Sequence, residues 1–511
     1  MKKISDLLVL FAALSLLSCE QPEAHDEMVK VTFTGITGEH TRTAYADGAI
    51  LWEASDRISL LSGVNYSVKT ELMMTSLSED RTSARFEGLA SNASSEYIAV
   101  YPSADANVYS GGKLSVCIPS VQMGMADGFA SGSNVSVVSV GKDTDILKFK
   151  NVSSLISFRF RTQEEASEIK SVTIKAKKSD GVFWGLSGNV SVSLSGDNIP
   201  EVSEGDAEYV TVSAPEGGFA VDCAYYVPVC PVGECKGIQL IFTDRNGQQT
   251  VRNNDTPCVL ERSRIIDLDY LPQSGDADQS FGNEGFGKAL IRVGIMGDSI
   301  STFAGELVNS DYKCHYPCEE DEVSKVEQTW WWQLIYEKMD NGVLDINNSF
   351  SGTKVSHGSY AGLSNASYQA GFVDRVGQFH APDVIIIHGG TNDCLKDTDK
   401  VNIGDYQWDT PLDQMDLTKF RSSYVYLVRK LQELYDGVQL ILIVGDRLGK
   451  DADLQYDDTI IEIARHFGLP YVDLTPYRLK EIPAPDSCHP NYVGHAFIAQ
   501  KVYDTCKDYL K

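Results

Sequence analysis

The sequence predicts a multidomain protein in which an all-β N-terminal half precedes a C-terminal α/β domain with a parallel sheet. From Met28 to about Leu271, apolar and polar residues alternate with period two between turn signals, which is typical of β-strands. From about Ile291, short apolar runs alternate with helical segments, which is typical of a parallel sheet covered by helices. The length of 511 residues, with 42% hydrophobic content, is enough for two or three domains.

The composition argues against one class of partner. The formal net charge is −27, and no run rich in Lys and Arg occurs in the sequence. Because phosphate binding needs a basic surface, we expect no nucleic-acid partner. No cluster of Cys and His has the spacing of a structural zinc site, so we assign no metal and no cofactor.

The N-terminal residues have the pattern of a lipoprotein signal. Two lysines precede an apolar run from Leu7 to Leu17, which ends in Leu16-Leu17-Ser18-Cys19 and resembles a lipobox. We expect residues 1–19 to be a signal peptide with its lipobox, cleaved so that Cys19 becomes a lipid-modified terminus, and residues 20–27 to be an acidic tether. No later run approaches the roughly 20 apolar residues of a membrane helix, so the lipid on Cys19 is the expected membrane anchor. The leader resembles those of surface lipoproteins of Gram-negative bacteria, which implies a surface-exposed position on the outer membrane.

The β half is predicted to contain two consecutive sandwiches. Short alternating segments such as Leu155–Phe160 and Ile238–Phe242 are separated by turns rich in Gly, Asn, Asp and Ser. We place the sandwiches at residues 28–155 and 156–271, followed by a linker at 272–288 that has almost no aliphatic residues. The α/β domain then occupies residues 289–511.

Local patterns in the β half resemble the fimbrillin-like family of bacterial surface proteins. They are, in order, Thr41-Arg42-Thr43, then Trp52 with Asp56-Arg57-Ile58, then Tyr97–Pro102, and finally Arg264–Leu268. The resemblance implies a transthyretin-like pair of sandwiches and a role in assembly with other surface proteins, adhesion or display. A simple spacer between the membrane and the C-terminal domain is an equally good interpretation.

The α/β half is predicted to have five buried strands joined by helices. The strand segments are residues 291–296, 343–346, 384–387, 440–444 and 471–474, and the helical segments are residues 327–339, 417–434, 457–467 and 492–509. Ligand chemistry in such a sheet gathers at the carboxyl ends of the strands.

Four short blocks lie beside these elements and carry the residue types that acyl transfer needs. Ser299, in Gly297-Asp298-Ser299, follows the first strand on a turn that exposes its hydroxyl. Gly352 and Asn392 follow the second and third strands and offer hydrogen-bond donors to an oxyanion. Asp486 and His489 precede the last helix, where an aspartate three residues before a histidine can orient the imidazole that accepts the serine proton.

The order of these four blocks resembles that of the SGNH/GDSL hydrolase superfamily. The resemblance covers the whole α/β half and implies a flavodoxin-like architecture. It implies that Ser299 is the nucleophile, that Asp486 and His489 complete the triad, and that the N–H groups of Ser299 and Gly352 form an oxyanion hole with Asn392. Ile300 stands where the family more often has Leu. Ser299 lacks the G-x-S-x-G frame of classical α/β-hydrolases.

Other candidate residues are given structural interpretations. We expect His388 to be a buried or near-site histidine rather than a base, Asp393 to buttress its turn, and at least one of Trp330–Trp332 to lie in the core. A second Trp of that group could stack on a sugar, and His357 could line the cleft. Among the ten cysteines other than Cys19, we consider two bridges, Cys314 to Cys318 and Cys394 to Cys488.

The predicted function is that of a surface lipoprotein serine esterase that removes O-acyl groups, with O-acetyl favoured, from an extracellular polysaccharide. A nucleophile at an open sheet edge admits a polymer laterally, whereas a lipid acyl chain needs a deep apolar channel. Segments 351–367 and 396–411 are rich in Ser, Asn, Gly, Asp and Tyr, which favours the polymer. Two alternatives stay open: a lipid or phospholipid esterase, and a non-catalytic adhesin or pilus-associated subunit.

Overall fold

The computed structural model describes residues 27–36, 44–46, 49–79, 81–194, 199–221, 223–271, 289–357, 370–394, 400–435, 437–445, 454–478 and 480–510. The predicted signal peptide with Cys19, nearly all of the tether, the Thr41–Thr43 motif and the linker lie outside the described residues. No helix in the described ranges is long and apolar enough to span a membrane.

The first β region is built from short strands separated by turns. Its described strands are β1 (Met28–Ile36), β2 (Ala44–Ala46), β3 (Ala49–Leu51), β4 (Arg57–Ser62), β5 (Val68–Leu77), β6 (Ser83–Ser91), β7 (Glu96–Tyr101), β8 (Val108–Ser110), β9 (Lys113–Ile118), β10 (Val121–Met123), β11 (Ser136–Gly141), β12 (Ile146–Lys148) and β13 (Lys150–Asn151). A 3₁₀ turn, Val64–Tyr66, connects β4 to β5.

The second β region continues in the same way, with one short helix. It contains β14 (Ser154–Arg159), α1 (Gln163–Glu168), β15 (Ile169–Ala176), β16 (Gly188–Leu194), β17 (Pro200–Val202), β18 (Val210–Ser213), β19 (Tyr225–Val229), β20 (Gly233–Cys235), β21 (Ile238–Asp244), β22 (Gln249–Asn254), β23 (Cys258–Leu260) and β24 (Ile265–Tyr270).

Strand pairing crosses the boundary that we placed at residues 155/156. Strand β9 of the first region pairs antiparallel with β16 of the second, and β10 pairs in parallel with β18. The large sheet of the first region packs against the sheet that contains β9 and β16 through a shared apolar cluster with Val100, Val116 and Val190. Neither predicted range therefore contains all of the strands of its own sheets. Periodicity indicates where strands lie but not which strands pair, and the transthyretin-like arrangement stays a prediction.

The residues that carry the fimbrillin-like resemblance have structural roles. Trp52 is fully buried and packs edge to face against Phe86 and Tyr101, with ring centroids 5.0 Å and 5.5 Å away. The buried Asp56 carboxylate accepts hydrogen bonds from the Tyr101 hydroxyl at 3.1 Å and from the Glu53 N–H at 2.7 Å. The motif thus fixes a core tryptophan and the turn beside it.

The α/β domain has five strands and the helices that connect them. The strands are β25 (Ala289–Gly297), β26 (Gly342–Ser349), β27 (Val384–His388), β28 (Gln439–Val444) and β29 (Tyr471–Asp473). The helices are α2 (Trp330–Trp332) with a π-helical turn (Gln333–Lys338), α3 (Phe420–Leu434), α4 (Leu454–Phe467) and α5 (Tyr492–Cys506). Short 3₁₀ turns are Ser299–Ser301, Val326–Gln328, Phe372–Asp374, Leu412–Gln414 and Thr475–Tyr477.

The five strands form a parallel sheet whose spatial order is β26-β25-β27-β28-β29. This is the 2-1-3-4-5 order of flavodoxin-like sheets, and it confirms the predicted parallel α/β architecture. Alternate residues of β27 and β28 point to opposite faces. Ile385 and Leu440 pack with α3 and α4, while Ile386 and Ile441 pack with α2 and α5. The carboxyl ends of β25, β26 and β27 therefore meet at one edge.

The parallel sheet is continuous with a sheet of the second β region. Strand β24 pairs antiparallel with the start of β25, through Ile265 opposite Leu290 and Ile266 opposite Ala289. The Asp383 carboxylate just before β27 accepts from Arg264 at 2.7 Å and from Arg292 at 3.3 Å. Backbone hydrogen bonds and the partly buried Arg264–Asp383 ion pair thus join the β and α/β regions.

Candidate active site

The turn after β25 presents Ser299 at the edge of the sheet. Close packing requires Gly297, because a Cβ there would lie 2.6 Å from both Ser301 Cβ and Ser349 Oγ. The Asp298 carboxylate accepts from the Ile300 N–H at 3.1 Å and caps the following 3₁₀ turn. Ser299 is only 5% exposed, so the expectation that the turn exposes its hydroxyl is wrong: the residue is buried, and His489 lies against its hydroxyl.

The structure brings Ser299, His489 and Asp486 into one hydrogen-bonded line. His489 Nε2 lies 2.8 Å from Ser299 Oγ, and His489 Nδ1 lies 2.5 Å from Asp486 Oδ2. The other Asp486 oxygen accepts from the N–H groups of Cys488 at 2.8 Å and His489 at 2.6 Å. The Asn491 side chain caps α5 immediately afterwards, which fixes this turn against the helix N-terminus. The geometry is that of a base hydrogen-bonded to a nucleophile and oriented by a carboxylate.

The charges of the histidine and the aspartate are set by their surroundings. Burial lowers the pKa of His489, although the hydrogen bond to Asp486 opposes this shift. Burial works against ionisation of Asp486, but hydrogen bonds from the His489 ring and from the backbone N–H groups outweigh it and lower the pKa of the carboxyl. Near neutral pH the imidazole is therefore uncharged, as a general base must be, and the aspartate is ionised.

The three predicted oxyanion donors lie on adjoining segments. Neither the Ser299 N–H nor the Gly352 N–H has a hydrogen-bond partner among the described residues. Gly352 has φ +80°, a conformation that favours glycine. The Asn392 amide donates to the carbonyl of Thr353 at 2.9 Å and to Asp298 Oδ2 at 3.4 Å. Both amide hydrogens thus have acceptors within the protein, and the longer hydrogen bond, to Asp298, is the one that an oxyanion would have to replace.

Asp393 holds two of these segments together, which agrees with its predicted structural role. Its fully buried carboxylate accepts from the N–H of Val355 at 2.7 Å and from the N–H and hydroxyl of Ser356 at 3.2 Å and 2.9 Å. Burial raises the pKa of Asp393 to about 6, although these hydrogen bonds oppose the shift. The loop with Gly352 and the loop with Asn392 are thereby locked to each other.

The buried Arg375 was not found from the sequence. Its guanidinium donates to the carbonyl oxygens of Gly297 at 3.3 Å and Ala370 at 3.0 Å, and to Thr353 Oγ1 at 3.0 Å. It also donates to both oxygens of Asn348. Burial lowers the pKa of Arg375 to about 10, so the group stays charged at neutral pH. One cation therefore ties the ends of β25 and β26 to the Gly352 loop.

Replacing Arg375 with methionine should destabilise the α/β domain. The aliphatic side chain would leave several buried carbonyl groups with fewer donors, each at a cost of about 1–3 kcal/mol. We expect the free energy of unfolding, measured with urea, to fall by about 3 kcal/mol. Arg421→Met on α3 is the control and should cost less, because Arg421 is only partly buried, lies over the Tyr406 ring, and donates only long hydrogen bonds, to Thr459 Oγ1 at 3.3 Å and to the Gly404 carbonyl at 3.4 Å. Equal unfolding midpoints for Arg375→Met and the wild type would contradict this role.

A second pair of a histidine and an aspartate, His315 and Asp321, lies against the triad and was also not predicted from the sequence. The His315 ring stacks on the His489 ring with centroids 3.6 Å apart and planes 13° apart. His315 Nε2 lies 2.6 Å from an oxygen of the buried Asp321. Ligand atoms of His315, Asp321 and His489 lie within 4.8 Å of one another. A shared metal ion does not fit this arrangement, because an ion binds in the plane of each imidazole and the two rings are nearly parallel.

Several other predicted residues lie away from the reacting groups. His388 is buried at the end of β27 beside Trp330, and burial lowers its pKa to about 4. His357 lies 2.7 Å from Asp374 and has a structural partner. Trp330 and Trp331 are fully buried, which confirms the core prediction.

The segment that we expected to be a polar loop after β27 is partly apolar. In its described part, residues 400–411, Val401, Tyr406 and Trp408 pack against the core formed with α3 and α4. Trp408 stacks between Tyr406 at 4.4 Å and His466 at 3.9 Å. The segment thus packs on α4 through stacked aromatic rings and is less polar than its sequence indicates.

Neither of the two disulfides considered from the sequence forms in the structure, where the ten described cysteines all carry thiols. The Cys394 thiol instead donates to the carbonyl of Thr391 at 3.3 Å. The cysteines that do meet are Cys235 and Cys258, which are directly opposite each other on β20 and β23. Spacing along the chain could not reveal this cross-strand pair.

Comparisons with known proteins identify a family for the C-terminal residues. Residues 291–506 match the family model described as GDSL-like lipase/acylhydrolase. A crystal structure described as a GDSL-like lipase from Bacteroides uniformis is 32% identical, with 43% of this chain and 96% of that chain covered and a TM-score of 0.37. A GDSL-like lipase from Bacteroides ovatus is 26% identical, and the match covers 43% of this chain and 100% of that chain, with a TM-score of 0.37. A carbohydrate acetylesterase family member from Sinorhizobium meliloti is 12% identical, and the match covers 43% of this chain and 99% of that chain, with a TM-score of 0.29.

The C-terminal α/β domain is a hydrolase domain of the GDSL-like lipase/acylhydrolase family. This confirms the family resemblance that we drew from the four blocks. A comparison with curated protein sequences finds no match. The fimbrillin-like resemblance of the β half stays a prediction.

Proposed function

We propose that the protein is a serine esterase that removes O-acetyl groups from an extracellular polysaccharide. The observation that carries the reaction type is the line from Ser299 Oγ through His489 to Asp486. A binding protein would not need a nucleophile, a base and an orienting carboxylate within hydrogen-bond distance. This geometry therefore favours the esterase over the non-catalytic adhesin.

The reaction proceeds through a covalent acyl-enzyme. Ser299 Oγ attacks the ester carbonyl while His489 Nε2 accepts its proton, and Asp486 stabilises the resulting imidazolium. The N–H groups of Ser299 and Gly352 stabilise the oxyanion, together with the Asn392 amide hydrogen that exchanges its long hydrogen bond to Asp298 for one to the oxyanion. The imidazolium then gives its proton to the sugar oxygen as the bond between that oxygen and the acyl carbon breaks, so that the sugar leaves with a free hydroxyl. Water, activated by His489, releases acetate and restores Ser299.

The preference for a small acyl group rests on the polar side chains around the nucleophile. The segments that carry the triad and the oxyanion donors bury many hydroxyl groups, namely those of Ser301, Thr302, Ser349, Ser351, Thr353, Ser356 and Thr391. Their larger apolar neighbours, Ile300 and Phe350, pack into separate core clusters. A long acyl chain needs an apolar channel, whereas an acetyl group needs only a small recess.

The preference for an external polymer rests on the predicted location. In the proposal, lipid on Cys19 anchors the chain at the outer membrane, and the β region raises the esterase domain above the cell surface. A polymer can reach a nucleophile at the sheet edge from the side. The β region either serves as this spacer or binds other surface proteins.

Acetate release from a panel of acetylated polysaccharides tests this proposal. We expect acetate from at least one glycan and hydrolysis of a chromogenic acetyl ester at least about tenfold faster than of a palmitoyl ester. Chemically deacetylated samples of each glycan and the Ser299→Ala variant serve as controls. Faster cleavage of the palmitoyl ester, with no acetate from any glycan, would support the lipid esterase instead. Absence of hydrolysis with every ester would support the adhesin.

A further inference from the structure

The His315 ring covers one face of the His489 ring, and its own position is fixed from several sides. Asp321, 2% exposed, accepts from the imidazole. The His315 backbone N–H donates to Thr302 Oγ1 at 2.8 Å, and that hydroxyl donates to the Ser299 carbonyl at 2.9 Å. The backbone that carries the stacked ring is thus tied through one threonine to the nucleophile turn.

The same segment also contacts the turn that carries His489. The hydroxyl of the fully buried Tyr316 donates to the Pro490 carbonyl at 2.7 Å. Further along, the Asn491 amide lies 3.3 Å from the Glu322 carboxylate. The segment from His315 to Glu322 therefore bridges the two parts of the chain that supply the nucleophile and the base.

We propose that His315, held by Asp321, is a positioning residue that keeps the His489 imidazole aligned with Ser299 and Asp486. This inference rests on the proposed ester hydrolysis, since it assigns a role within that reaction. The catalytic imidazole must keep Nε2 on the serine and Nδ1 on the aspartate at the same time. Tilting of the ring breaks both contacts, and a flat ring 3.6 Å away blocks that motion on one face.

The charge that forms during the reaction is favoured by Asp321 and not by the stacked ring itself. His489 becomes an imidazolium in the transition state. Burial is the largest influence on the pKa of His489 and lowers it, His315 also lowers it, and the Asp321 carboxylate raises it. The substrate binds before this charge appears, so the contact should act on kcat more than on KM.

The test compares variants that keep or remove the planar ring. We expect His315→Ala and His315→Gln to lower kcat for a chromogenic acetyl ester about tenfold, with KM within about twofold of the wild type. Glutamine can still donate a hydrogen bond to Asp321 but has no ring. The glutamine variant therefore measures the effect of losing the stack alone, even if the alanine variant folds poorly. His315→Phe keeps a flat ring and should restore kcat to within about threefold.

The matched control is His466→Ala, which removes a similar stack, at 3.9 Å and 12° on Trp408, that contacts no triad residue. We expect this control to keep the wild-type kcat. Wild-type kcat in His315→Gln, or an equal loss in the glutamine and phenylalanine variants, would overturn the positioning role. Failure of the proposed function looks different, because the wild type itself would then hydrolyse no ester.

Discussion

Ser299→Ala is expected to abolish ester hydrolysis while the protein stays folded. The hydroxyl is the only group within hydrogen-bond distance of His489 Nε2 among the described residues, so no neighbour can take over the attack. Loss of a nucleophile in a related triad costs about 10⁶ in kcat. We expect a loss of at least about 10⁴ here, measured with a chromogenic acetyl ester, and an unfolding midpoint close to that of the wild type.

Ser301→Ala is a matched control for the nucleophile prediction. Ser301 is buried in the same turn, and its hydroxyl accepts from Trp330 Nε1 at 3.1 Å. Its loss should lower the free energy of unfolding by about 1–2 kcal/mol while kcat stays within a few-fold of the wild type. If Ser299→Ala retains more than about 1% of wild-type kcat, the nucleophile lies elsewhere.

Asp486→Asn should lower kcat by about 10³–10⁴, because the amide favours the wrong tautomer of His489. The Oδ1 position already accepts from two backbone N–H groups, so the asparagine oxygen will remain there. The new NH₂ group must then face His489 Nδ1, where it donates a hydrogen bond. This leaves the imidazole hydrogen on Nε2, which can no longer accept the proton of Ser299.

Asp473→Asn is a matched control for this aspartate. The Asp473 carboxylate accepts from the N–H and hydroxyl of Thr475 at 2.9 Å and 2.6 Å, and it orients no catalytic residue. We expect the control to keep the wild-type kcat and the same dependence of kcat/KM on pH. An Asp486→Asn variant with more than a tenth of wild-type activity would show that the aspartate does not set the tautomer.

The sequence predicts those parts of the site that depend on short stretches of chain. Strands β25 to β28 begin and end within a few residues of their predicted bounds, because a buried parallel strand is a continuous apolar run. Ser299 lies directly after such a run, and Asp486 and His489 share one turn. For these residues, position along the chain already determines position in the fold.

The parts that the sequence does not predict depend on distant contacts. Arg375 follows a 3₁₀ turn far from Gly297 in the chain, and only the packed structure brings it beneath the oxyanion loops. His315 and His489 are likewise far apart in sequence, and Asp321 is an ordinary acidic residue in an acidic segment. In the β region, β9 and β16 each alternate as strands should, but alternation does not indicate that they pair.

The hydrogen bonds between β24 and β25 bear on the size of the cooperative folding unit. A fragment that starts at residue 289 would keep the triad, but Ala289 and Leu290 would lose their backbone partners on β24. Asp383 would retain Arg292 and lose Arg264, leaving a partly buried carboxylate with one cation instead of two. Ala289 also packs on the apolar core of the neighbouring β region. We therefore expect the stretch that folds as a single cooperative unit to begin before residue 291, where the match to the hydrolase family starts.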